Sequence, residues 1–187
     1  MSSSLKNLSF SYDNVNVKNF NYLGIIFTRT GNFNLTKKHL ADKALKTMYE
    51  VLKMGRMHKL SITCLLDIFD KMIKPILLYG CKVWGFSNND ILEKIHLKFF
   101  KNLLNLKTST PSYMVYGELW RYPIYFDIKI RTVCYWARLI VGKQTKYSNI
   151  WYRLCHQLNE NHNMQLSWIL FVKQIFNECG FSNIWET

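Results

Sequence analysis

The carboxylates and histidines that could catalyse a reaction are scattered along this chain of 187 residues. Asp67 and Asp70 could share a metal ion on one helix face, but two lysines lie equally near, which favours a solvated face. Two-metal phosphoryl transfer needs paired aspartates, and no two of the aspartates are adjacent. Cys155 and His156 are consecutive, so on a helix they point in different directions. We therefore predict no catalytic residue, no metal site and no cofactor in this chain.

Positive charge is the stronger chemical signal. The sequence holds 25 Lys and Arg against 12 Asp and Glu, a formal net charge of +13. Such a surplus favours a polyanionic partner, with nucleic acid ahead of an acidic membrane surface. The alternative is a solvated basic surface that only keeps the protein soluble.

Two lysine stripes concentrate this charge on helix faces that lie opposite apolar residues. Lys43, Lys46 and Lys53 form the first stripe, and a second repeats at one-turn spacing around Lys98. Lysine suits contact with a phosphate backbone more than the reading of bases. The predicted nucleic-acid-binding residues are Lys37, Lys38, Lys43, Lys46, Lys53, Arg56, Lys59, Lys94, Lys98 and Lys101.

The elements that hold these residues are predicted to be mainly α-helical. Alternating apolar residues predict a short N-terminal β-hairpin over residues 8–28, after a disordered segment at 1–7. Asn34 is expected to cap the first helix, which is expected to run to about Met54 and to be closed by Gly55, and Ser61 is expected to cap the second. Apolar periodicity predicts further helices over 90–106, after Pro111, and over 124–141, 148–159 and 167–178. The fold class is therefore mainly α, with a helical bundle of about six to seven helices after the hairpin. These helices are divided into a bundle domain over 29–142 and a helical extension over 143–187.

A proline interrupts the apolar run that follows the second helix. Pro75 removes a backbone donor and bends or ends a helix. Gly80 and Gly85 then allow a turn or a close approach of another backbone. With Trp84, these residues predict a buried structural hinge without chemistry of its own.

The remaining side chains with reactive groups are predicted to be structural. None of the five cysteines has a metal-knuckle spacing to another, which predicts reduced, buried thiols in an intracellular protein of the nucleus or cytoplasm. His96 is expected to be a core or boundary histidine, and Trp84, Phe99 and Trp136 are expected to pack in the core rather than stack on bases. No apolar run reaches the ~20 residues that span a membrane.

Two segments carry the most specific motifs of the chain. The first is Phe-Asn-Tyr-Leu-Gly-Ile at 20–25, followed by a basic helix, and the second is Pro-Ile-Leu-Leu-Tyr-Gly-Cys-Lys-Val-Trp-Gly at 75–85. These motifs and their spacing resemble the end of non-LTR (LINE-type) retrotransposon reverse transcriptases. The resemblance continues through Ser-Thr-Pro at 109–111 and Tyr-Gly-Glu-Leu at 116–119, and it covers nearly the whole chain from Phe10.

The resemblance implies a division of roles along the chain. Tyr22, Leu23 and Gly24 would belong to the primer-grip hairpin at the edge of the palm. The helices after it would form the thumb, which holds an RNA–DNA or DNA duplex, followed by a connecting helical region. The complete enzyme would use Mg²⁺ held by an aromatic-x-Asp-Asp box, and this sequence contains no such box. We therefore expect a fragment that lacks the fingers and most of the palm and cannot polymerise DNA alone.

Two other interpretations stay open. The chain could be a non-enzymatic helical module that binds a protein, because the N-terminal strands would present an exposed edge and an apolar patch. It could equally be a degenerate remnant without function.

Overall fold

Two antiparallel hairpins open the computed structural model, which describes residues 10–12, 15–142, 147–161 and 167–185. Strand β1 (Phe10–Tyr12) pairs with β2 (Val15–Val17), and β3 (Asn19–Tyr22) pairs with β4 (Ile25–Thr28). The single hairpin predicted over 8–28 is therefore two hairpins in separate sheets. The disordered segment predicted at 1–7 lies outside the described residues.

Helices make up most of the rest, which confirms the mainly α prediction. No described helix is both long and apolar enough to cross a membrane. The helices are α1 (Asn34–Met57), α2 (Ile62–Ile68), α3 (Lys74–Leu77), α4 (Cys81–Trp84), α5 (Asp90–Leu103), α6 (Ser112–Leu119), α7 (Ile124–Val141), α8 (Tyr147–Asn161) and α9 (Ser167–Glu178), with a π turn at Phe69–Ile73 and a 3₁₀ turn at Ser182–Trp185. There are more helices than predicted because the second predicted helix is interrupted and a one-turn helix follows it.

The chain forms two compact units. The first unit comprises Met1–Gly80 and Asn89–Ile124, and the second comprises Cys81–Asn88 and Tyr125–Thr187. The boundary predicted at 142/143 is therefore not a division between units. In the second unit α7 contacts the C-terminal helices, since the Trp136 indole donates to the Tyr152 hydroxyl at 2.9 Å and the Tyr135 ring meets the Trp168 ring edge-on.

Helix α1 is the centre of the first unit and packs against β4, α2, the π turn, α3 and α5. Ala44 and Met48 on its inner face are fully buried. Opposite them, the Phe69 ring lies 4.6 Å from Phe99 and 5.2 Å from Phe100, centroid to centroid. Phe99 is fully buried, as its place on an apolar stripe predicts, and so is Trp84.

Gly55 does not end α1, which continues to Met57, and Asn34 is the first residue of α1 rather than its cap, so both predictions are wrong. The residue is buried, and a Cβ atom there would lie 2.7 Å from Cδ2 of Leu65. The glycine therefore permits a close approach of α2 rather than a helix end. Ser61 does cap α2, because its hydroxyl accepts from the Cys64 N–H at 3.2 Å.

The predicted bend near Pro75 is distributed over several turns. The π turn ends at Ile73, two residues before Pro75, so the backbone N–H that proline lacks falls where the helical hydrogen-bond pattern has already widened. Gly80 has a φ of +65°, and the boundary between the units follows it. Gly85 is buried against Ile128, whose Cγ2 would lie 2.5 Å from an added Cβ. Pro75 itself is exposed, so the hinge is buried only in its later part.

All five cysteines carry free thiols. Cys81 is buried, and this burial raises the pKa of its thiol. Cys134 and Cys179 are exposed, and the prediction that all five cysteines are buried is therefore wrong.

Candidate nucleic-acid interface

The basic side chains of α1 are mostly on the surface of the first unit. Lys46 and Lys53 flank the half-exposed Tyr49, three residues before it and four residues after it. At that spacing the three side chains share one side of the helix. Lys38, Lys43, Arg56 and Lys59 are also exposed, but they lie at other positions around or beyond α1.

Lys37 is the exception among the predicted binding residues. Its side chain is only 1% exposed, since it projects to the inner side of α1 with Ala44 and Met48. Burial lowers the pKa of Lys37 to about 8. The prediction that Lys37 contacts phosphate at the surface is therefore wrong. Its sequence neighbour Lys38 is exposed.

The second stripe lies on α5, which packs directly against α1. The Lys98 ammonium lies over the ring of Tyr49, 5.3 Å from its centroid. This contact, between residues 49 positions apart in sequence, brings Lys46 and Lys53 of the first stripe onto one surface with the second stripe, whereas Lys43 lies outside it. We call this surface the lysine face; it comprises Lys46, Lys53, Lys94, Lys98 and Lys101.

The lysine face also carries acidic groups. Asp42 and Glu50 lie one turn from Lys46 on α1, and Asp90 lies one turn before Lys94 on α5. Lys101 donates to the Thr108 carbonyl at 2.6 Å, which leaves two of its three protons for another acceptor. The face is basic overall, but its charge is less concentrated than the lysine spacing alone suggests.

The first motif of the family resemblance contacts the part of the second motif that lies in the first unit. Leu23 and Gly24 form the turn between β3 and β4 with φ values of 49° and 80°, a pattern typical of tight hairpins. The Tyr79 hydroxyl donates to the Leu23 carbonyl at 2.7 Å. Buried Thr36 fixes the same hairpin to α1, since its hydroxyl bonds both backbone groups of Ile26 at 2.9 Å.

An open cleft of about 420 Å³ lies beside this contact. Its walls are mainly apolar and its basic groups come from the start of α1, a combination that suits a ligand with an apolar ring and an anionic group. The cleft is lined by Leu23, Gly24, His39, Leu40, Lys43, Pro75, Ile76 and Tyr79.

The exposed face of β3 is aromatic. The rings of Phe20 and Tyr22 are nearly parallel, at 15°, with centroids 6.3 Å apart. About half of each side chain is exposed. Tyr22 is therefore accessible beside the Leu23–Gly24 turn.

A buried polar cluster that sequence reasoning missed ties α6 to α5. The Tyr116 hydroxyl donates to the Glu93 carboxylate, and His96 Nδ1 lies 3.2 Å from the same hydroxyl oxygen. Burial and the Glu93 carboxylate raise the pKa of Tyr116, so the phenol stays protonated. His96 is 3% exposed, as predicted for a core histidine. The Glu93 and Tyr116 pairing carried no sequence signal, because the residues are 23 positions apart on different helices.

Asp70 also departs from its predicted place on a solvated helix face. Its side chain is about one third exposed, and its Oδ2 lies 2.7 Å from an Arg121 nitrogen. The pair links the π turn to the segment after α6. Asp70 therefore serves packing rather than chemistry.

The part of the chain that the structure describes contains no group of three His, Cys, Asp or Glu side chains that could hold a metal ion. The residues present therefore do not fit the Mg²⁺ that the resemblance implies for the complete enzyme. What the first unit offers chemically is a basic face, an aromatic strand face and a cleft between the β3–β4 turn, the start of α1 and α3. No family model, no curated protein and no solved structure matches the chain.

Proposed function

We propose that the first unit binds a nucleic-acid duplex through the lysine face, without sequence preference, as the thumb-like part of a non-LTR retrotransposon reverse transcriptase. The observation that carries this proposal is the contact of Lys98 with Tyr49, because it brings the lysines of α5 onto one surface with Lys46 and Lys53 of α1. Lysines from two packed helices can follow a phosphate backbone and replace its condensed counterions.

The hairpin corner, by which we mean the Leu23–Gly24 turn and Tyr79, supports the same proposal. The Leu23–Gly24 turn is held against Tyr79, and the cleft beside them carries Lys43. In the proposed function, Tyr22, Leu23 and Gly24 support the end of the primer strand, and the lysine face holds the duplex behind it. The partner would be an RNA–DNA or DNA duplex. The polymerase aspartates would be supplied by a palm that is not part of this sequence.

A salt titration of duplex affinity tests the proposal. Fluorescence anisotropy with a labelled, blunt RNA–DNA hybrid should show affinity falling ~500-fold between 50 and 200 mM salt, if about five phosphates are contacted. Salt-independent binding, or no binding at low salt, would contradict the proposal. Primer extension with Mg²⁺ or Mn²⁺ is expected to yield no product.

Paired variants locate the binding surface. Lys53→Gln with Lys98→Gln removes two charges from the lysine face and should flatten the logarithmic salt slope by ~1.8. Lys71→Gln with Lys173→Gln removes two exposed charges elsewhere and should leave the slope nearly unchanged. Equal effects of the two pairs would mean that binding responds only to net charge.

A second candidate, a protein-interaction module, is favoured by the exposed aromatic face of β3. Such a surface would be covered by another chain, which includes a second copy of this one. Light scattering distinguishes the candidates. Self-association that Phe20→Ser with Tyr22→Ser abolishes, without loss of duplex binding, would support an interaction surface separate from the lysine face.

A further inference from the structure

Trp120, the residue that follows α6, has a backbone conformation that is rare for residues other than glycine. Trp120 has φ 51° and ψ 45°, in the left-handed region. The Arg121 N–H bonds the Tyr116 carbonyl at 3.0 Å and the Trp120 N–H bonds the Gly117 carbonyl at 3.3 Å. This pair of bonds is the Schellman ending, whose left-handed position is usually glycine because a Cβ atom is strained there.

The strain is not offset by packing of the indole. The Trp120 side chain is 91% exposed, the largest exposure among the exposed apolar side chains of the described residues. Tyr113, seven residues earlier on α6, is 73% exposed. Gly117 lies between them in sequence, and a Cβ atom there would meet nothing within 4 Å. The outer side of α6 therefore presents two aromatic rings with open space between them.

The backbone on both sides of Trp120 is held in place. Before it, Tyr116 is bound to Glu93 and His96 of α5. After it, Arg121 forms the ion pair with Asp70. The indole is thus presented from a fixed position, which is the arrangement expected of a group that contacts a partner.

The loop that leads into α6 carries basic groups, whereas α6 itself carries the exposed Glu118. Helix α5 packs against both α1 and α6, with Glu93 and His96 on the side that contacts α6 and Lys98 over Tyr49 of α1. Lys101 binds the Thr108 carbonyl, and exposed Lys107 lies in the same loop, which leads into α6. The cores of protein interfaces are depleted of charge, whereas sites for single-stranded nucleic acid combine exposed rings with lysines.

We propose that Trp120 and Tyr113 stack on unpaired bases of a single strand that extends from the duplex on the lysine face. The assignment rests on the proposed duplex binding and adds a second part to that site. Bases in a duplex are already stacked on each other, so only an unpaired segment offers faces to these rings. The recognition needs no sequence preference, because every base has a flat face.

Trp120→Gly separates this role from folding. Glycine relieves the left-handed strain, so the variant should have a thermal midpoint equal to or above that of the natural chain. The probes are a blunt RNA–DNA hybrid, the same hybrid with an unpaired overhang, and a short oligothymidine. The natural chain should prefer the overhang, and Trp120→Gly should reduce that preference about tenfold. The salt slope should not change, because no charge is removed.

Tyr113→Ala should reduce the overhang preference as well, and Tyr147→Ala, which removes an exposed ring of the second unit, should leave it intact. An equal affinity of the natural chain for blunt and overhung hybrids would overturn the inference while leaving duplex binding standing. An overhang preference that survives in Trp120→Gly would overturn it as well. Binding of oligothymidine that needs Trp120, without any binding of the blunt hybrid, would support the inference and refute the proposed duplex function. Failure to bind any of the three probes would refute both.

Discussion

The polar interior of the first unit and its lysine face use similar residue types in opposite surroundings. In the interior, Tyr116 holds Glu93 and His96, and Lys37 is buried. On the face, Lys46 and Lys53 are exposed beside Tyr49.

The two regions differ in whether water reaches their polar groups. Polar groups in the interior are no longer hydrated, so each depends on a particular protein partner. Removal of that partner lowers the free energy of unfolding. Groups on the face keep water and ions, so their loss should change binding and leave stability almost unchanged. Lys37 and Lys38 are adjacent in sequence and fall on opposite sides of this division.

The largest effect is expected from Tyr116→Phe. The change removes the hydroxyl that bridges Glu93 and His96 and leaves its buried neighbours with one bond fewer. The free energy of unfolding, measured by urea denaturation, should fall by about 1–3 kcal/mol. Tyr113→Phe removes the same atom from an exposed ring of the same helix and should leave the free energy of unfolding almost unchanged. Similar costs for the two variants would erase the distinction between interior and surface.

Lys37→Met should change how stability depends on pH. The pKa of Lys37 is about 8 in the folded chain and near 10.5 when unfolded. Between these values the unfolded chain binds more protons, so Lys37 makes the free energy of unfolding rise with pH, by at most ~1.4 kcal/mol per unit. Below pH 8 the residue is protonated in both states and its penalty is constant.

The raised pKa values of Cys81 and Tyr116 act in the opposite direction at high pH, so the informative quantity is the difference between the natural chain and the variant. That difference should shrink from pH 8 to pH 10 in denaturation experiments, as the lysine penalty disappears. Lys38→Met is the matched control on the exposed neighbour, and its difference from the natural chain should be independent of pH in this range.

The smallest effect is expected from Lys98→Gln on the face. It removes the ammonium above Tyr49, an exposed contact worth about 0.5–1 kcal/mol at most. The thermal midpoint should therefore stay nearly constant while duplex affinity falls. A loss of stability as large as that of Tyr116→Phe would show that the contact is structural and would remove its support for binding.

Much of the helical framework could be predicted from the sequence. Helices over 124–141 and 167–178 begin and end where apolar periodicity placed them, because that pattern records which side of a helix is buried. The Ser61 cap was also predictable, since a cap involves groups only three residues apart. Helix ends that depend on distant residues could not be predicted in this way. Gly55 was predicted to end the first helix because glycine is common at helix ends. It instead allows the close approach of Leu65 of the next helix.

The candidate site was predictable only in part. The lysine spacing identified the stripes, and the Tyr-Leu-Gly and Tyr-Gly motifs identified the hairpin corner. Neither pattern states which surfaces meet. Lys98 reaches Tyr49 across 49 positions of sequence, and Tyr79 binds Leu23 across 56 positions. Both contacts therefore depend on how distant elements pack together. The strained and exposed Trp120 had no sequence signal, because its backbone conformation is set by the ending of α6.

By itself the sequence determined the mainly helical character, the basic charge and the lack of an Asp-Asp box, since these follow from composition and short-range spacing. Tertiary structure decided which lysines are buried, which glycines allow close packing and which aromatic rings remain exposed. The physical reason is that propensity and periodicity act within a few turns of chain, whereas burial depends on which elements pack together. Lys37 and Lys38 show this within a single helical turn.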